Sequence, residues 1–190
     1  MHSLELLIKE TAAKYLEQVI AWRRHIHAHP ELSGEEKETS LYIQSVLTEL
    51  GIPFKNDVSD YAVIGTIQGS HTGPVIALRA DIDALPIHEK TGLPFASENY
   101  GIMHACGHDS HVAILLGTAA VLHDIREQLH GTVKLVFQPS EEEALFPGAQ
   151  GIVDSGILDD VDEIYGLHVW PQLPVGTVGL RKGNLIAASD

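Results

Sequence analysis

Short runs of β-branched and apolar residues alternate along this chain with longer segments whose apolar residues recur at helical spacing. That alternation restricts the fold to an α/β arrangement, a largely parallel sheet flanked by helices. Leu7, Ile8, Ala12, Tyr15, Leu16, Val19, Ile20 and Trp22 predict an amphipathic helix from about Leu4 to His27, stopped by Pro30. A second helix is expected after Ser33 and Gly34, with Glu35, Glu36 and Glu38 in its first turn at the positive end of the dipole. It ends at Gly51, ahead of Pro53. Ala62–Ile67 and Val75–Leu78 read as strands separated by a hairpin-like break over Gly69–Pro74. Gly131–Phe137 and Glu163–Val169 read as two more, and Val175–Leu180 as an edge strand. Between them, Val112–Asp124 reads as a helix capped by Ser110 or Asp109, and Ala149–Ser155 as a short one.

A chain of 190 residues, 44% of them apolar, is long enough to bury one real core. Its 12 Lys and Arg stand against 26 Asp and Glu, a formal charge of −14, and the resulting field repels polyanions, so no nucleic-acid partner is expected. The single cysteine excludes an internal disulfide, and the N-terminus lacks the order of a secretion signal, which together suggest a cytoplasmic protein. Apolar runs such as Ala113–Leu116 and Val133–Phe137 are far too short to span a bilayer, so no membrane segment is expected.

In open α/β sheets the ligand crevice lies beyond the carboxyl ends of the strands. Three polar groups fall at such ends: Asp81 and Asp83, the Glu141–Glu143 run, and His168. Cys106 and His108, two apart, reach one region if the backbone between them is extended. A lone cysteine is otherwise a small buried hydrophobe, but His104, His108, Asp109 and His111 surround this one, which favours a metal ligand. His104 is left out of the ligand set, because one segment seldom supplies four ligands; His111 either orients a ligand or caps a helix. Adjacent carboxylates in a non-helical segment point apart, so in the Glu run one can hold metal while another faces the water it activates. His168 alone would read as a core histidine; its place at a strand end favours a site. Asp81 and Asp83 either pair with Arg79 or accept the free N–H of a ligand imidazole, the second being preferred.

Five segments in order, Arg24–Leu32, Leu78–Pro86, Met103–Asp109, Phe137–Glu142 and Gly166–His168, resemble the M20 metallopeptidase and amidohydrolase family. The likeness is to the branch of hippurate hydrolases, N-acyl-amino-acid amidohydrolases and plant auxin-conjugate hydrolases. The resemblance implies a zinc-peptidase-like catalytic domain and two divalent transition-metal ions, Zn, Mn, Co or Ni. Cys106 would bridge them, His108, Glu142 and His168 would be further ligands, and Glu141 the general base. Asp83 would orient a ligand imidazole, and Asp81 stands where relatives carry a metal-binding histidine. The implied substrate is a small N-acyl amino acid, hydrolysed to a carboxylic acid and a free amino acid. Relatives of this kind are longer than 190 residues. After the segment matching Gly183–Asp190 they continue into a satellite domain that dimerises, then return to complete the catalytic domain with a last metal-binding histidine. By that resemblance residues 1–190 are the N-terminal part of the catalytic domain, with weak or no activity alone, and the full-length form is a homo-oligomer. Two rivals stand beside this reading: a cysteine hydrolase with Cys106 as nucleophile, and a noncatalytic fragment that only binds metal or pairs through its open edge.

Overall fold

A computed structural model describes residues 3–143 and 148–183. Helices α1 (Leu4–Ala28) and α2 (Lys37–Glu49) come first, then strands β1 (Phe54–Lys55), β2 (Val63–Gln68) and β3 (His71–Asp81). Helix α3 (His108–Asp124) and a 3₁₀ turn (Arg126–Gln128) lead into β4 (His130–Gln138), and α4 (Gly148–Asp154) and β5 (Glu163–Gly166) close the described order. The strands form one sheet in the order β1-β2-β4-β3-β5. β4 runs parallel to β3, and β3 parallel to β5, whereas β2 is antiparallel to both β1 and β4. The fold is α/β, and its sheet is mixed.

The alternation of side chains along the strands explains the layers. Val63, Ile67, Ala80, Leu135 and Phe137 face α1, α2 and α3, where they meet Trp22, Ile26, Ile43, Leu47, Val112 and Leu116. Ala62, Ile64, Ala77 and Val136 face the other way, against Ile152 of α4 and Ile157, Leu158 and Val161. Both faces of the central strands are therefore covered, which is why the middle of β4 is apolar on both sides except at Lys134, whose Nζ donates to the Ile157 carbonyl and pairs with Asp160.

Gly69–Pro74 is not a hairpin. β4 lies between β2 and β3, and their connection wraps its first residues: Gly69 N–H donates to Gly131 O and His71 N–H to Leu129 O. The crossing is so close that a Cβ on Gly131, whose φ is +88°, would lie 2.0 Å from the Pro74 carbonyl oxygen. Spacing of apolar residues carries no information about such an insertion.

Three boundaries also differ from expectation. α3 begins at His108, four residues before Val112, because Gly107 at φ +97° turns the chain straight into the helix; neither Asp109 nor Ser110 is its cap. Glu35 and Glu36 precede α2, whose free amides at Glu38 and Thr39 are capped instead by the Glu31 carboxylate at 3.1 and 2.7 Å. Val175–Leu180 is not a strand; Val175, Val178 and Leu180 stand in solvent with no neighbour to pair with among the described residues. β5 itself stops at Gly166, short of Val169.

A buried ionic network ties α1 to α3. Asp109 accepts from His27 Nδ1 at 2.8 Å and from Arg23 Nε at 2.6 Å, and the other face of His27 meets Glu89 at 3.2 Å. The Asp109 bond raises the His27 pKa above its ordinary 6.5, against burial and Arg23 and with help from Glu89. A raised histidine pKa stabilises the fold fully below about 6.5, and that contribution is lost as pH rises through the folded value. His27→Gln in the metal-free protein is therefore expected to cost on the order of 2 kcal/mol at pH 6 and clearly less at pH 9, measured by chemical denaturation. Equal costs at both pH values would show that the imidazolium charge is not what holds the network.

Candidate metal centre

The parallel strands β3, β4 and β5 deliver their carboxyl ends to one edge of the sheet. Asp81 ends β3 opposite Gln138 at the end of β4, and Gly166 at the end of β5 lies opposite Arg79. Asp83, Glu141, Glu142 and His168 follow within a few residues, and the N-terminus of α3 brings Cys106 and His108 to the same edge. Asp81, Asp83, Cys106, His108, Glu141, Glu142 and His168 all lie at this edge.

His108 is the centre of the cluster. It is fully buried; its Nδ1–H donates to Asp83 Oδ1 at 3.0 Å, and its Nε2 has no hydrogen-bond partner among the described residues. Around that orphaned nitrogen lie Asp81 Oδ2 at 3.6 Å and Glu141 Oε2 and Glu142 Oε1 at 3.8 Å. Ligand-type atoms of Cys106, His108 and His168 all fall within 4.8 Å of one another, and so do those of His108, Glu141 and Glu142. A buried imidazole lone pair facing carboxylates at non-bonded distance is the arrangement expected of a cation site.

The tautomers separate ligands from supports. His168 donates Nδ1–H to the Val169 carbonyl at 2.6 Å, which leaves Nε2 directed at Cys106 Sγ, 3.3 Å away. His111 is different: its Nε2 accepts the Val169 amide at 3.0 Å and its Nδ1–H donates to Asp81 Oδ1 at 2.5 Å. Although Asp81, His108 and His111 also lie within metal-ligand reach of one another, His111 has no lone pair left. It orients and does not cap α3. Asp81 pairs with Arg79 at 2.8 Å and accepts from His111, which is not a candidate ligand; the bond to a ligand imidazole expected of it is made by Asp83 alone.

Asp83 does more than orient His108. Its Oδ2 accepts the Glu142 amide at 2.9 Å and the Ser33 hydroxyl at 2.7 Å, so one carboxylate holds the imidazole and the acidic turn together. Burial works to raise its pKa, and the bonds from His108, Glu142 and Ser33 outweigh this and lower it. The same contest at Asp81, won by His111, His108 and Arg79, brings it down to about 2.

The extended backbone expected between Cys106 and His108 is absent. Gly107 is left-handed, and a Cβ there would lie 2.4 Å from Val169 Cγ2, so a glycine is needed to bring Cys106 and His168 together. Burial, then a hydrogen bond to Glu142 and the charges of Glu142, Glu141 and Asp81, push the Cys106 thiol up to about 12. A nucleophilic cysteine requires the opposite shift, so the geometry disfavours Cys106 as the attacking group. The negative field that suppresses its thiolate is one that divalent cations would neutralise.

Glu36, Ser33 and the His27 network were not recognised as supports from sequence. His104, left out as a ligand, is buried outside all three clusters, and burial pushes its pKa down to about 4.

A model of peptidase family M20/M25/M40 matches residues 77–185. The chain is 51% identical over 173 residues to an N-acetyl-L-cysteine deacetylase of Bacillus subtilis (strain 168), covering 91% of this chain and 41% of that protein. It is 43% identical over 184 residues to an N-acyl-L-amino acid amidohydrolase of Geobacillus stearothermophilus, covering 96% and 49%. Among solved structures, the Bacillus subtilis YXEP protein, a dinuclear metal binding peptidase from the M20 family, superposes with a TM-score of 0.85 at 48% identity. That match covers 90% of this chain and 48% of the other. The chain thus spans about half the length of the relatives it matches. No helix among the described residues is long and apolar enough to cross a membrane.

Proposed function

We propose, for a chain that belongs to the M20/M25/M40 peptidase family, that its sheet edge contributes a two-metal centre for hydrolysing the amide bond of N-acyl amino acids. The products are a carboxylic acid and a free amino acid. The observation that carries this reading is the unpartnered, buried His108 Nε2 facing Glu141, Glu142 and Asp81, in a cluster that also includes Cys106 and His168.

In this reading Cys106, His108, Glu142 and His168 would hold the ions. Two divalent ions supply a Lewis acid for the amide carbonyl and lower the pKa of water. A thiolate, imidazole and carboxylate set accommodates Zn, Mn, Co or Ni. Asp83 keeps His108 in the tautomer that presents Nε2. Glu141 takes the proton from the attacking water and returns it to the departing amine nitrogen. Its pKa is raised by burial and by Asp81 and Glu142, with His108 and Arg79 opposing, which brings it towards the range of an effective base. The substrate class rests on the two relatives named for N-acetyl-L-cysteine and N-acyl-L-amino acids.

Metal-stripped protein should take up Co2+, Mn2+ or Zn2+ in equilibrium dialysis and, once loaded, release amino acid from N-acetyl or N-benzoyl amino acids, with EDTA abolishing turnover. Folded protein that binds none of these ions, or turnover indifferent to EDTA, overturns the reading. Uptake without turnover of any N-acyl amino acid assigns the noncatalytic metal-binding alternative.

A further inference from the structure

Glu36 is the most anomalous carboxylate in the molecule. It is 0% exposed, and among the described residues its Oε2 has no hydrogen-bond partner; burial raises its pKa. Its Oε1 accepts the Ser140 amide at 2.7 Å and lies 3.4 Å from the Ser140 hydroxyl, a contact across 104 positions. Ser140 is itself unusual, a non-glycine residue at φ +50°, immediately before Glu141 and Glu142. A side chain in that region is strained and persists only where surroundings enforce it.

Two carboxylates thus pin the turn that follows β4: Glu36 takes the amide of Ser140, and Asp83 takes the amide of Glu142. Between these points the chain has little freedom, and the directions of Glu141 and Glu142 follow from it. We infer that Glu36 is a positioning residue for the acidic pair, holding Ser140 left-handed so that Glu142 turns toward His108 and Cys106. The inference rests on the proposed role of Glu142 as a metal ligand. It gives a purpose to a buried carboxyl group that apolar packing would otherwise replace at no loss.

The test is Co2+ titration of the metal-stripped protein, followed by visible absorption, with thermal unfolding of the stripped protein measured in parallel. Glu36→Ala should weaken Co2+ binding roughly 10–100-fold, as loss of a partner that orients a ligand does. Glu36→Gln, whose amide oxygen still accepts from Ser140, should bind close to wild type. Adding Ser140→Gly to Glu36→Ala should recover affinity, because glycine enters the left-handed region unaided. In a Glu142→Ala background, Glu36→Ala should have no further effect on Co2+, a coupling that general destabilisation does not produce. If Glu36→Ala fails to fold, Glu36→Leu, which fills the space and accepts no hydrogen bond, takes its place. Wild-type affinity in Glu36→Ala, or equal losses with and without Glu142, overturns the inference alone. A wild-type chain that takes up no Co2+ overturns the metal reading, and this inference with it.

Discussion

Glu141→Gln is expected to lower turnover of N-acyl amino acids by roughly 10²–10⁴ relative to wild type, the usual worth of a positioned general base, which is the role proposed for Glu141, while bound metal should stay unchanged. Glutamine keeps the size and hydrogen-bonding reach of the side chain but cannot accept and return a proton. Metal should be retained because the proposed ligands Cys106, His108, Glu142 and His168 are untouched. Below the raised pKa of Glu141 the wild-type base is protonated and idle, so the wild-type rate falls as pH drops through that value, and the variant loses this limb. Stopped assays across pH, with metal content measured on the same samples, check both parts. Loss of metal in parallel with activity would make Glu141 a ligand and remove it as the base.

Cys106→Ser is expected to abolish metal binding almost completely. In the metal-free protein the thiol sits at about 12, because burial, the bond to Glu142 and three nearby carboxylates all oppose a negative sulfur. Binding must therefore displace a proton, and affinity should rise with pH while protons are released to buffer. A serine hydroxyl is far harder to deprotonate and cannot follow. The fall in Co2+ affinity should exceed the roughly 100-fold upper range seen for partners that merely orient ligands, and the sulfur-to-cobalt absorption should vanish. A variant that binds Co2+ as wild type does would remove Cys106 from the centre.

The candidate site residues were legible in the sequence by position: Asp81, Asp83, Glu141, Glu142 and His168 follow strand ends, and Cys106 and His108 stand at the start of α3. Position along an α/β alternation is enough to place such groups at one edge. The supports were less legible, since each depends on a contact that no local pattern encodes. Glu36 looks like an ordinary acidic residue at a helix start, yet its side chain runs inward to a serine 104 positions away. His111 lies one helical turn after His108, but only the structure reveals that its Nε2 is taken by the amide of Val169. Val175–Leu180 has the residues of a strand; in the structure it lacks an edge to pair with. The place of β4 between β2 and β3 was equally hidden, because apolar spacing reports that a segment is a strand and never which strands it separates.

That insertion governs when the core can close during synthesis. β2 and β3 are complete by Asp81 and β2 can pair with the two-residue β1, but the neighbour that β2 and β3 share, β4, is not finished until Gln138. Until then the emerging chain carries β3 without a partner, β2 paired on one side only, and the bare apolar faces of three helices, a state in which nascent proteins aggregate or recruit chaperones. Pairings this distant along the chain also make folding slow, so yield in expression should depend more on the time spent before β4 emerges than on the final strength of the fold.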